Sequence, residues 1–267
     1  KICAVDLGMP TLLEAAGAEE SAALCAELGL QFVELNMNLP EYADPAHMDR
    51  EKLCALREKY GVYFTLHLDE RLDGCDFNPL VRNAYQETLR RALELAQEAE
   101  MPIVNLHLNH GVYFTLPNKK TYLYAERREE YLQHIDEMRR IGEEGADENI
   151  ALCVENTDGF LAQEKKALDL LMKSKRWGLT LDVGHMHSAG YVDDDVYIVH
   201  SGKLRHMHLH DALLMQAGQC HLPLGEGNLD WRDSLRTAET RHCRAVIEVK
   251  TLSALRDSIK TLREAGK

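Results

Sequence analysis

Nowhere in the 267 residues does an apolar run approach the roughly 20 residues of a membrane span, so a membrane role is not expected. A basic balance is missing as well. The formal net charge is −13, which opposes an electrostatic grip on a polyanion and disfavours nucleic acid, although an acidic chain can carry a local basic groove. The seven cysteines contain no Cys-x-x-Cys pair, and so odd and scattered a set suits a reducing cytoplasm. No Pro-, Gly- or Ser-rich linker or charge block divides the chain. The opening Lys1-Ile-Cys-Ala-Val-Asp reads as a first strand and lacks a signal-peptide layout. No Gly-x-Gly-x-x-Gly follows it, which removes the usual mark of a nucleotide-binding open sheet.

What is present is a regular alternation. With 45% hydrophobic and 28% charged residues the chain can bury a sizeable core under a solvated surface. Eight short apolar, β-branched runs read as strands: Ile2–Asp6, Gln31–Asn36, Val62–Leu68, Pro102–Leu108, Ile150–Asn156, Trp177–Val183, Leu204–Leu209 and Ala245–Val249. Amphipathic segments separate them, among them Pro79–Glu100 and Tyr122–Glu148, and a last helix follows Thr251. Eight βα units predict a single α/β domain over residues 1–267, a (β/α)8 TIM barrel, with an open doubly wound sheet as the alternative.

Six of these strands end in a side chain able to bind metal: His67, His107, Glu155, Asp182, His208 and Glu248. Strand side chains alternate, so Thr65, Asn105, Cys153, Thr180, His206 and Val246, two positions earlier, share their face. The intervening Leu66, Leu106, Val154, Leu181, Met207 and Ile247 are large and apolar, as packing against outer helices requires. One such residue is ordinarily a cap or a satisfied core polar group. Six in register converge on the barrel mouth, where this architecture builds active sites and where clustered charge is costly unless a cation neutralises it. The imidazole–carboxylate mix fits Mn²⁺, Zn²⁺ or Co²⁺ better than Ca²⁺.

The other histidines read differently. His47, His134, His200 and His242 fall in helical or linking segments and are expected at the surface. His185, in Leu181-Asp-Val-Gly-His, is a functional candidate that Gly184 would allow to fold over the site. His187 reads as a bystander, His206 and His210 as neighbours of His208, and Asn109 and His110 as possible substrate contacts.

The motifs Leu66-His-Leu, Asn105-Leu-His, Val154-Glu-Asn-Thr, Leu181-Asp-Val-Gly-His, Met207-His-Leu-His-Asp, Pro223-Leu-Gly-Glu-Gly-Asn-Leu-Asp-Trp and Val246-Ile-Glu occur in that order over nearly the whole chain. Together they resemble the xylose isomerase-like barrel superfamily, which holds sugar isomerases and epimerases, inosose dehydratase-like lyases and endonuclease IV-like abasic-site nucleases. The resemblance implies Glu155, Asp182, His208 and Glu248 as central metal ligands. His67 and His107 would hold a further zinc in the nuclease branch, and His185, a carboxylate and His221 a third. The third set is incomplete, because Gln219 stands where that branch has an aspartate. The loop after the second strand, Asn36-Met-Asn-Leu-Pro-Glu-Tyr-Ala-Asp, is acidic where nucleases carry an arginine.

The function expected is therefore a divalent-metal-dependent isomerase or epimerase of a small sugar, sugar phosphate or polyol derivative, moving a proton next to a carbonyl. A nuclease and a lyase are the alternatives. Glu155 and Glu248 are the expected proton-transfer groups, and His185, His221, Glu34 and Lys250 the expected substrate contacts. The partner expected is a small carbohydrate, with homo-oligomerisation open and no nucleic acid or membrane.

Overall fold

A computed structural model describes residues 1–266. In chain order it contains β1 (Leu7–Pro10), α1 (Ala18–Glu27), β2 (Phe32–Asn36), α2 (Arg50–Tyr60), β3 (Tyr63–His67), α3 (Pro79–Glu98), β4 (Ile103–His107), β5 (Tyr113–Leu116), β6 (Lys119–Tyr122), α4 (Leu123–Glu126), α5 (Arg128–Gly145), β7 (Ala151–Glu155), α6 (Ala162–Leu171), β8 (Trp177–Asp182), α7 (Val183–Ser188), α8 (Asp194–Val199), β9 (Leu204–Leu209), α9 (Trp231–Thr240), β10 (Arg244–Ile247) and α10 (Leu252–Ala265). Eight parallel strands close in the order β1-β10-β9-β8-β7-β4-β3-β2, a single-domain TIM barrel. Among the described residues no helix is long and apolar enough to cross a membrane, and all seven cysteines are free thiols.

Helix α3 shows how local sequence sets these elements. Asn78 accepts a hydrogen bond from the Leu80 amide, Pro79 begins the helix where no amide is needed, and Leu89, Ala92, Leu93 and Ala96 bury one face.

Three sequence expectations shift. The first strand is Leu7–Pro10, not Ile2–Asp6, because register overrides propensity: Leu7 and Gly8 pair with Ala245 and Val246 of β10. Gly8 is required there because the Phe32 ring fills the space a side chain would take. The segment read as one helix over Tyr122–Glu148 is α4 and α5, separated at Arg127, whose ψ of 43° is not helical. The stretch before it forms the antiparallel hairpin β5–β6, whose first strand is exposed along its whole length. His134, expected at the surface, is half-buried and reaches the Cys75 carbonyl at 3.1 Å.

Inside the barrel the alternating faces separate as expected. Thr65, Asn105, Cys153, Thr180, His206 and Val246 are all fully buried, and Thr180 Oγ1 donates to Asn105 Oδ1 at 2.5 Å across the interior. Outside it, α5 lies against Trp177 at the start of β8. The Trp177 indole donates to the Arg139 carbonyl at 3.2 Å, and a Cβ added at Gly142 would run into that indole.

Gly142→Ala therefore sets two effects against each other. Helix propensity favours alanine by roughly 1 kcal/mol, whereas overpacking a filled interface costs about 1–3 kcal/mol. Trp177 is buried and already hydrogen-bonded, so overpacking wins, and the variant is expected to unfold at lower urea concentration with altered tryptophan fluorescence. A midpoint equal to or above the parent's would contradict this packing.

Candidate metal and active site at the barrel mouth

Four strands adjacent in the barrel, β7, β8, β9 and β10, bring Glu155, Asp182, His208 and Glu248 together. Glu155 and Asp182 are the last residues of their strands, His208 pairs directly with Asp182, and Glu248 follows β10 by one residue. His208 Nδ1 lies 3.1 Å from Glu155 Oε1, 3.3 Å from Glu248 Oε2 and 3.9 Å from Asp182 Oδ2. Its other nitrogen, Nε2, lies 2.7 Å from Glu34 Oε2, off the line of a ring N–H, so this is a charge–charge approach rather than an aligned hydrogen bond. Burial alone would push His208 down; Glu155, Glu34 and Glu248 together hold it well above the ordinary histidine range.

The remaining sequence candidates fall into three positions. His67 and His107 both turn Nε2 toward Glu155 Oε2, at 3.3 and 3.1 Å, and Asn105 donates to the same oxygen at 2.6 Å. His185 and His221 cover the other side, with Nε2 atoms 3.2 Å apart. Glu34 sits beneath His208, where its Oε1 receives His206 Nε2 at 2.9 Å and Thr65 Oγ1 at 3.2 Å. Lys250 stands at the rim, its side chain 63% exposed and its ammonium 3.8 Å from Glu248 Oε1.

Burial works against the charge of Glu34, Glu155 and Glu248, yet the imidazoles around them hold all three well below the usual carboxylate range. Two carboxylate oxygens in this cluster, Asp182 Oδ2 and Glu248 Oε2, are buried without a hydrogen-bond donor. A carboxylate oxygen buried without a donor is costly in an interior, and two of them beside an imidazole match the donor set of a transition-metal ion. The residues present fit a divalent cation.

Several contributors were not singled out from sequence. Asn156 accepts the Asp182 amide at 2.8 Å and donates to its carbonyl at 3.0 Å, fixing the Asp182 backbone, and the Asn156 side chain is itself anchored by the Tyr197 hydroxyl. Buried Asp211 accepts the amides of Ala212, Gly225 and Leu229, tying down the Gly225-Glu-Gly loop, and a Cβ at Gly227 would strike Asp211. Their signal was adjacency to a motif residue, which single-position reading passes over. Gly184 is needed for a different reason than expected: the His210 ring occupies the space of its side chain, and its backbone lies in short helix α7. His187 bridges Tyr191 and Asn228, consistent with a bystander.

At the same end of the barrel the loops after β3 and β4 and the β5–β6 hairpin border a cleft of about 620 Å³, lined by Phe77, Tyr85, Tyr113, Tyr122 and Tyr124, by Arg71, Lys120 and His110, and by Asp73 and Asp76; no residue of the His208 cluster lines it. His110 is fixed in its wall, with Nδ1 2.5 Å from buried Glu164 and Nε2 3.2 Å from Asp158.

A closed (β/α)8 barrel with imidazoles and carboxylates gathered at the carboxyl ends of its strands is a TIM barrel with a candidate metal site at its mouth. Among such barrels, the chain belongs to the xylose isomerase-like TIM barrel family, whose model matches residues 22–265. It is 26% identical over 216 residues to an uncharacterized protein of Methanocaldococcus jannaschii, covering 78% of this chain and 71% of that one. Among solved structures, a D-tagatose 3-epimerase-like protein aligns with TM-score 0.76 at 24% identity, covering 97% of this chain and 96% of that one. A 3-keto-D-glucoside 4-epimerase from E. coli aligns at 0.73 and 16% identity (97% and 99% covered). The IOLI protein with a bound zinc atom aligns at 0.71 and 14% (98% and 96%).

The hydrogen bond His110 donates to Glu164, with Asp158 on its other side, raises His110 to about 9. Raised in the folded state, it contributes stability that is complete below pH 6.5 and lost as pH climbs through about 9. Urea denaturation at pH 6 and pH 9.5 should show this decline, and His110→Gln should make it shallower. An unchanged slope in the variant would remove His110 as its source.

Proposed function

We propose that the protein is a divalent-metal-dependent isomerase or epimerase acting on a small sugar or polyol derivative by proton transfer next to a carbonyl. The observation carrying this reading is the convergence of three carboxylates from three strands on one ring nitrogen of His208, with two of their oxygens left without donors. Glu155, Asp182, His208 and Glu248 would hold the cation. When bound, it would polarise the substrate carbonyl and stabilise negative charge developing on its oxygen.

The chain's own residues divide the rest. Glu248 Oε2 has no hydrogen-bond partner and Glu248 is the more exposed of the two glutamates, so it is the group freer to take a proton from the substrate carbon. Glu155 is held in place by Asn105, His107, His67 and His208; a proton taken up from solvent would pass through it to the opposite face of the substrate carbon, while the proton taken by Glu248 leaves to solvent. Two carboxylates from neighbouring sides of the mouth permit inversion at one carbon. Glu34, through His206 and His208, acts as a positioning residue, which replaces the substrate contact first expected for it. Lys250 is placed to meet an anionic substituent at the rim. The names of the structural neighbours, one a keto-glucoside epimerase, one a tagatose epimerase-like protein and one carrying zinc, agree with this choice.

His67 and His107, turned toward one oxygen of Glu155, favour a second reading as a nuclease with more than one cation. The net charge of −13 and the acidic loop after β2 weigh against it.

Protein purified without chelator should contain a transition metal. With a panel of ketoses and their phosphates in deuterated water, it should exchange the hydrogen next to the carbonyl, and Glu155→Gln or Glu248→Gln should lower that rate at least about 100-fold. Metal content is measured in each variant, because both residues also hold the cation. Full exchange in a metal-replete variant, or metal-dependent incision of an abasic-site duplex at low salt, would displace the epimerase reading.

A further inference from the structure

The cleft between the β5–β6 hairpin and the start of α3 belongs to none of the chemistry assigned so far. Gly111, with φ 72°, turns the chain out of β4 toward the hairpin, and the Tyr124 ring fills the space a side chain there would take. Alternation along the hairpin then sorts its faces. Tyr113, its cross-strand partner Tyr122, and Lys120 line the cleft, whereas Phe114, Lys119 and Thr121 do not. The other wall is formed by Phe77, Val81 and Tyr85. Val81, Val112 and Tyr113 stay exposed at its rim, and contiguous apolar surface of this kind marks a place where something binds.

Most hydrogen-bonding groups in the cleft are already committed. Asp73 accepts the Tyr124 hydroxyl at 2.7 Å and the Cys75 amide at 3.0 Å, and Asp76 accepts the Asn78 amide at 2.7 Å. Asn109 donates to the Leu72 carbonyl at 2.9 Å, and His110 lies between Glu164 and Asp158. A sugar, whose hydroxyls each need a partner, finds few there. The cations are what is left free. Lys120 makes no ion pair among the described residues; its ammonium lies 3.6 Å from the Tyr113 ring centre and 5.0 Å from that of Tyr122, so the two rings hold it in place. The Arg71 side chain is 87% exposed, and Asp69 approaches only its Nε, at 3.7 Å, which leaves the outer nitrogens of the guanidinium open. No acidic residue occurs from Asn109 to Tyr124, in a chain whose net charge is −13.

We propose that this cleft is a second ligand site, separate from the carboxylate centre around His208, and that it takes a flat aromatic ring carrying an anionic group, an aryl carboxylate or aryl phosphate. The ring lies against the aromatic walls, where edge or offset contacts between rings add to apolar burial. Tyr85, half-buried and paired with no other ring among the described residues, is free to meet it. The anion meets Lys120 and Arg71, the latter able to engage a carboxylate or phosphate through two nitrogens at once. At about 620 Å³ the cleft falls within the range of small-molecule sites. The assignment uses no residue of the His208 cluster and is independent of the epimerase reading.

The test is calorimetric titration of the full chain, with and without chelator, using four probes: benzoate and phenyl phosphate as aryl anions, benzyl alcohol as a ring without charge, and inorganic phosphate as charge without a ring. At least one aryl anion should bind with a Kd of about millimolar or tighter, and the tighter of the two identifies the anion preferred. Chelation should leave that affinity unchanged. Lys120→Ala should weaken it at least about tenfold, the loss of one charge-assisted contact, and Arg71→Ala should weaken it too. Lys119→Ala, on the opposite face of β6, should keep it. Circular dichroism matching the parent's separates loss of the contact from misfolding, and if Lys120→Ala does not fold, Arg71→Ala decides. No binding of either aryl anion at millimolar concentration, equal binding of benzyl alcohol or inorganic phosphate, full affinity in Lys120→Ala, or loss of binding on chelation would overturn the site. Retained binding in a protein that fails to exchange hydrogen with any ketose would instead count against the epimerase reading and leave this site standing.

Discussion

The burial of Glu155 is the constraint on which the mouth of this barrel depends. One oxygen meets His208 and the other meets Asn105, His107 and His67, so a single carboxylate joins β3, β4, β7 and β9. An ionised group in the interior is costly unless donors surround it, and the same donors that remove that cost also fix its direction. Electrostatic catalysis needs such preorganisation, because groups already aimed at developing charge need not reorganise during reaction.

A second layer repeats this logic one residue deeper. Glu34 holds His206 and His208, Asn156 holds the backbone of Asp182, and Asp211 gathers the amides of the loop that carries Gly225 and Gly227. None of these need meet substrate. Their contribution is to limit the angular freedom of the groups proposed to do so, and small misplacements of catalytic groups are expensive in rate.

The two halves of the mouth differ in chemistry. Carboxylates and imidazoles crowd the side formed by β7 to β10, while the side formed by the loops after β3 and β4 is an aromatic cleft with Arg71, Lys120 and His110 in its wall. The exposed β5–β6 hairpin forms the outer wall of that cleft and is an addition to the simple βα repeat.

Much of this was legible in the chain. Period-two alternation with a polar or small residue on one face and a large apolar residue on the other marked the central strands. The same alternation placed His67, His107, Glu155 and Asp182 at their ends, because strand geometry makes facing a local property. Strand β1 was not legible, since its place comes from pairing with β10 and from the Phe32 ring beside Gly8, both distant in sequence. Neither was the role of Glu34, which depends on β2 and β9 being brought together across the barrel interior. Cys220 looked like one of seven scattered thiols, and only the fold of the loop after β9 brings its sulfur to His185 and His221. The sequence by itself thus determined which residues face inward and which chemistry they carry. Tertiary structure alone decided which of them lie within reach of one another, because distances between strand ends are set by closure of the barrel.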